Sequence, residues 1–70
     1  MPVDPIIVTA RKNYVQGYCC AVAIHLRSHG SKGDVFAKDM LTGVSLKEIE
    51  LYAYKGDLEA FKHFEVLPTV

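Results

Sequence analysis

Few residues in this chain carry reactive groups, and their spacing decides what chemistry they could do. His25 and His29 are four apart, so on a helix their imidazoles share one face, the spacing of helical zinc pairs. A third ligand would have to come from His63, Asp34 or Asp39, since Cys19 and Cys20 point elsewhere on such a helix. There is no Cys-x-x-Cys, and Leu26 follows His25 where the zinc-protease pattern has Glu. The expectation is therefore no metal and no cofactor. His25 reads as a half-buried side chain, and His29 as a cation suited to the negative end of a helix dipole.

Nucleophilic and acid–base chemistry fare no better. Cys19 and Cys20 lie inside an apolar run, and apolar surroundings raise a thiol's pKa and leave it inert. Glu48 and Glu50 fall on different faces of a helix, so they do not form a catalytic pair. Gly30 and Gly33 stand too close for a phosphate loop and lack its lysine-serine ending. A small bundle of helices also offers no deep cleft for a substrate. The chain is expected not to be an enzyme.

The elements that hold these residues are organised around Tyr14 to Gly30. Tyr18 to Ile24 is the longest uninterrupted apolar run, and a helix apolar on every side belongs in the middle of a bundle. Two alanines and helix-compatible flanks favour helix over a buried strand. Ser28-His29-Gly30 reads as its end, with Gly30 free to turn left-handed. Burial of Val15, Val22, Ile24 and Leu26 would stabilise the fold by about 1.5–3 kcal/mol each. Gly17 and Ala21, four apart, leave a flat strip for another backbone. The run is too short to span a membrane, which needs about 20 apolar residues.

Before this helix, residues 1–13 form an N-terminal arm whose conformation has two readings. Ile6-Ile7-Val8-Thr9 is β-branched and suits a short strand. Alternatively, Asp4 caps a helix with Pro5 at its first position. After Gly30, three short helices are expected. Asp34 caps Val35 to Leu41, whose apolar set is Val35, Phe36, Met40 and Leu41. Ser45-Leu46-Lys47-Glu48 is a capping box, with Val44 placed to staple onto Ile49. That helix carries Leu46, Ile49 and Ala53 inward, broadened by Leu51, Tyr52 and Tyr54, and stops at Gly56. Asp57 then caps Leu58 to Phe64, and residues 65–70 form an irregular tail. The fold class is all-α: a single small domain over 1–70, with a helical core of 14–64 in which one central helix packs with three shorter ones.

Composition narrows the function. Half of the 70 residues are apolar, so the chain is globular. Chains this short bury only about 60% of their unfolded surface, and two adjacent cysteines cannot make an ordinary disulfide with each other. The missing staples favour a homo-oligomer, such as a homodimer, or a partner-bound form, and the cysteines suit a reducing, cytoplasmic location. The start Met1-Pro2-Val3-Asp4-Pro5 has neither basic nor apolar regions of a signal peptide. Net charge is zero but unevenly spread: residues 1–33 carry four cations against one carboxylate, and residues 34–70 four against seven.

Two binding roles remain. Asp34 to Lys55 has the outline of a helix-turn-helix, with Gly43 in the turn and Ile49 and Tyr52 at core positions. The small residue expected four positions before that glycine is Asp39. The would-be recognition helix carries Glu48 and Glu50 and has no arginine, asparagine or glutamine to read bases. Phosphate contact would fall to Arg11, Lys12, Arg27 and Lys32. Against this stands protein binding. Seven aromatics are many for so small a body, and aromatics are enriched at interface cores. Tyr52 and Tyr54 lie about 200° apart on a helix, so at least one faces away from the core. The expected partner-binding set is Tyr52, Tyr54, Glu48 and Glu50.

The string Gly17-Tyr18, Ala21-Val22-Ala23, Leu26-Arg27 and His29-Gly30, followed by Gly56-Asp57-Leu58 and a closing aromatic, resembles small uncharacterised proteins encoded in phage and prophage accessory regions. The resemblance covers roughly residues 14–64. It implies a cytoplasmic regulator or host-interaction factor, such as an inhibitor of a host or defence factor, and assigns no functional residue. The alternative is a helix-turn-helix transcriptional regulator.

Overall fold

The structure, a computed structural model, describes residues 4–68; expectations for 1–3 and 69–70 lie outside the described residues. Four helices follow in order: α1 (Pro5–His29), α2 (Val35–Leu41), α3 (Leu46–Tyr52) and α4 (Lys55–His63). Among the described residues all of the regular structure is helical, with one long helix packed against three short ones. Each short helix packs chiefly on α1. A 25-residue helix is about 37 Å long, so α1 accounts for most of the 41 Å long axis.

Helix α1 starts much earlier than a strand or arm at residues 6–9 would allow. The carboxylate of Asp4 accepts from the Ile6 amide at 2.8 Å, and Pro5 occupies the first helical position. Pro there loses nothing, because its missing amide would have been unpaired anyway. The Val8 amide then bonds the Asp4 carbonyl at 3.1 Å, and the β-branched run is carried into helix against its modest local preference. Helix therefore covers residues 5–13, which replaces the strand reading.

The buried face of α1 is Val15, Cys19, Val22, Ala23 and Leu26. Facing it are Ala37, Leu41, Val44, Ile49, Phe61 and Val66. This is a one-sided core, and it corrects two expectations. Ile24 is 57% exposed, because the short helices cover α1 on one flank only and Ile24 lies on the other. Val35 and Phe36 are likewise exposed, since α2 turns Ala37 and Leu41 inward and leaves its first turn outside. The partly buried Tyr18 donates its hydroxyl proton to the Met40 carbonyl, tying α2 to α1.

Local signals set most helix ends. Asp34 Oδ1 accepts from the Ala37 amide at 2.9 Å, and Ser45 Oγ accepts from the Glu48 amide at 3.1 Å. Gly30 is extended (φ −76°, ψ 156°) and not left-handed. It must be glycine for another reason: a Cβ there would sit 2.5 Å from the Leu26 backbone. The left-handed turn comes at Gly33 (φ 70°), whose amide bonds the Phe64 carbonyl at 2.7 Å.

The third junction departs from expectation. α3 ends at Tyr52, with Ala53 and Tyr54 extended, and α4 begins at Lys55. Gly56 thus lies inside the first turn of α4, where amides lack helical partners in any case. Asp57 is not the cap but an acidic residue in that first turn, favourable to the dipole. α4 closes with Glu65 left-handed (φ 57°). The Val66 amide bonds Phe61 O at 3.1 Å and the Glu65 amide bonds Lys62 O at 3.2 Å. This is a Schellman ending, and it drives Val66 fully into the core. Residues 65–68 are irregular, and Val66 among them packs into the core.

Candidate functional site

The four residues expected to bind a partner all come from α3 and its exit, and the structure divides them. Glu48 is half-buried and committed. Arg11 of α1 grips it with two bonds, Nε to Oε2 at 2.5 Å and Nη2 to Oε1 at 2.9 Å. The Ser45 hydroxyl donates to the same carboxylate at 3.3 Å. With Arg11 as the chief cause, these contacts hold the Glu48 carboxyl down at about 2 and raise the Arg11 guanidinium. The Glu48 carboxylate therefore serves as a clasp between α1 and α3 in addition to its place in the capping box.

Tyr52 packs partly buried against the core, while Tyr54 is 57% exposed. The 200° separation is thus resolved by Tyr52 turning in and by Tyr54 leaving the helix altogether. Glu50 is fully available at the surface. Beside it, Val44, Leu46 and Pro68 line an open groove of about 600 Å³, with Lys47 and Glu50 at its edge. Leu51, assigned from the sequence to the inward side, is instead 63% exposed. Its register relative to the buried Ile49, about 200° around the helix, is the signal that would have found it.

The cations proposed for phosphate contact also divide. Arg11 is held by Glu48, and its guanidinium carbon lies 5.1 Å from the Tyr14 ring centroid. Arg27 donates from Nη2 to Asp57 Oδ1 and to the Gly56 carbonyl, both at 3.2 Å. Asp57 is buried, and its second oxygen has no hydrogen-bond partner among the described residues. Arg27 is therefore the partner that makes burial of this carboxylate tolerable. Among the described residues, Lys12 and Lys32 of the four have no ion-pair partner. The α2–turn–α3 outline is present, with residues 42–45 between two seven-residue helices. The outer side of α3 presents Lys47, Glu50 and Leu51.

The remaining reactive groups are placed as follows. His25 Nε2 lies 3.4 Å from Asp34 Oδ1, and its ring centroid is 4.7 Å from that of Phe36. The Asp34 carboxyl is lowered, first by the Ala37 amide and then by His25. The His29 ring lies 6.4 Å from that of His25. Among the described residues no group of three or more His, Cys, Asp or Glu side chains is placed to hold a metal ion. Cys19 is fully buried, and that burial, helped by Asp57, pushes its thiol up to about 11. Among the described residues no helix is long and apolar enough to cross a membrane.

Compared with protein-family models, with curated proteins and with solved structures, the chain matches none of them.

Proposed function

We propose that this is a small non-enzymatic accessory protein of the phage type, which works in the cytoplasm by binding another protein and so modulates or inhibits a host or defence factor. The observation that carries the reading is the outer side of α3 and its exit. There Leu51 and Tyr54 stand exposed, and Glu50 of the same helix borders an apolar groove lined by Val44, Leu46 and Pro68. Exposed large apolar side chains rimmed by charge are the usual composition of a protein-binding patch. The acidic residues around it would suit a partner surface that otherwise holds nucleic acid.

The alternative, a helix-turn-helix DNA binder, draws less support. Two of its four phosphate-contacting cations are occupied by Glu48 and Asp57, and α3 carries no arginine, asparagine or glutamine to read bases. A gel shift at low salt that disappears on neutralising Lys12 and Lys32 would favour it over protein binding.

The test is capture of a partner from host lysate by tagged protein, followed by variants of the purified pair. Leu51→Glu and Tyr54→Ala should each weaken binding at least about tenfold, the scale of a minor hot spot, while leaving the helical spectrum unchanged. Full binding by both variants would remove the α3 surface from the account.

A further inference from the structure

The outer side of α1 is a second surface, unconnected with the partner patch on α3. At 3.6 residues per turn, Ile6, Ala10, Gly17, Ala21, Ile24 and Ser28 fall within roughly 40° of one line along the helix. That line runs opposite Val15, Cys19, Val22 and Leu26, the residues that face the core. Every residue on it is exposed, including Ile6 at 78% and Ile24 at 57%. No charged residue lies on it over 23 positions. The spacing of four and three also follows the heptad seam of paired helices.

We infer that this face docks onto the same face of a second copy of the chain, antiparallel, with Gly17 at the twofold axis. The register follows from size. Centred on Gly17, position i of one copy meets position 34 − i of the other. Ile24 then lies against Ala10, Ile6 against Ser28, and Asn13 against Ala21, so each large side chain meets a small one. Gly17 meets Gly17, and apart from the adjoining backbone of α1 itself no atom lies within 4 Å of where its Cβ would be in the single chain.

Two further features fit this occupant. The first is charge. Residue 4 of one copy falls opposite residue 30 of the other, so the exposed Asp4 comes beside the exposed His29 end of its mate, whose Arg27 is held by its own Asp57. The two helix dipoles then oppose each other favourably. Like charges are kept apart, for the two Arg11 positions lie about 18 Å from each other along the axis. The second is the overhang. The stretch from Pro5 to Tyr14 supplies no core residue, is tied to α3 through Arg11 and Glu48, and is exposed at every residue. In this register it lies alongside Ile24 and His25 of the other copy, and His25 packs on the exposed Phe36. Ile7 and Phe36 are on the same side of the pair. The overhang of each copy thus completes an apolar surface left open on the other.

The strip is one helix wide, about 10 Å, so it buries less than the roughly 800 Å² per partner of a standard interface. The dimer should be weak and concentration-dependent. Sedimentation velocity between about 1 and 500 µM should show a monomer–dimer shift, which Ile24→Glu abolishes without loss of helicity because that side chain is exposed in the monomer. The register is tested in a Cys20→Ser background under mild oxidant. Ala10→Cys mixed with Ile24→Cys should cross-link, whereas neither variant should cross-link to itself, since like positions lie about 21 Å apart. A monomer at every concentration, an Ile24→Glu protein that still dimerises, or self-cross-linking of the single variants would each overturn the inference. Because Ile24→Glu leaves Leu51 and Tyr54 intact, its effect on dimerisation is separable from any effect on partner capture.

Discussion

The two halves of α1 make the most instructive contrast in the molecule. From Pro5 to Tyr14 every residue is exposed, and among the described residues the tertiary side-chain bonding on this half is that of Arg11 to Glu48. From Val15 to His29 the same helix supplies five core residues and receives α2, α3 and α4. One continuous helix thus has a half held by packing and a half held by its cap and by propagation from its neighbour. Extending a helix costs far less than nucleating one, so an overhang needs no core of its own. The difference is energetic, and substitutions should expose it.

The largest effect should come from placing one charge in each half. Val22→Asp puts a carboxylate at a position 1% exposed, at a cost of about 4 kcal/mol or more. A domain of this size is stable by only about 3.5–10 kcal/mol. The variant should be largely unfolded by circular dichroism, while Ile6→Asp should melt close to the parent. Similar melts for the two would dissolve the contrast.

Next come the two arginines, one on each half. Arg27→Met leaves the buried Asp57 carboxylate without its partner and should destabilise by about 1–3 kcal/mol in denaturant melts. Arg11→Met breaks an exposed pair, and such pairs contribute little, so its midpoint should move much less. The reverse ranking would mean that the clasp, and not the core, holds α1 in place.

How much of this was legible in the sequence also divides along the helix. Asp34 and Ser45 announce α2 and α3 because capping is chemistry between neighbours in the chain. Asp4 and Pro5 announced α1 equally well, but four β-branched residues after them argued for strand, and local rules do not say which preference wins. Ile24 sits in an apolar run that reads as wholly buried. Hydrophobicity marks a wish for cover, not the side from which cover arrives. Arg27 and Asp57 are thirty residues apart, so a pair between them leaves no local pattern, and Asp57 read as a cap instead. At the candidate site, the exposure of one of Tyr52 and Tyr54 followed from face arithmetic, and it is Tyr54 that is exposed. The pairing of Glu48 with Arg11, by contrast, joins residues distant in the chain and leaves no local pattern.

A smaller effect should sharpen the docked half. Glu65 holds a left-handed conformation that costs a non-glycine residue about 1 kcal/mol. Glu65→Gly should therefore raise stability by roughly 0.5–1 kcal/mol, the gain being trimmed by greater freedom in the unfolded chain. A lower melting point would show that the Glu65 side chain makes a contribution of its own.

The smallest effect is the pH dependence of the clasp. The Glu48 carboxyl is depressed in the folded protein to about 2 from an ordinary value of 4.5. Its contribution is therefore present above about 4.5 and is lost as pH falls through about 2. Melts of the parent and Arg11→Met should differ slightly at neutral pH and converge across that window. A difference that persists below it would assign the effect to the Arg11 stem packing on Tyr14.

The adjacent cysteines give this small protein a built-in clock. Cys19 is sealed, with its thiol proton held to about 11, while Cys20 next to it is only half covered. An alkylating reagent at neutral pH should mark the outer sulfur of the intact fold first. The inner one would be marked only when the molecule opens, so the second adduct by mass counts whole-molecule openings with no engineered label.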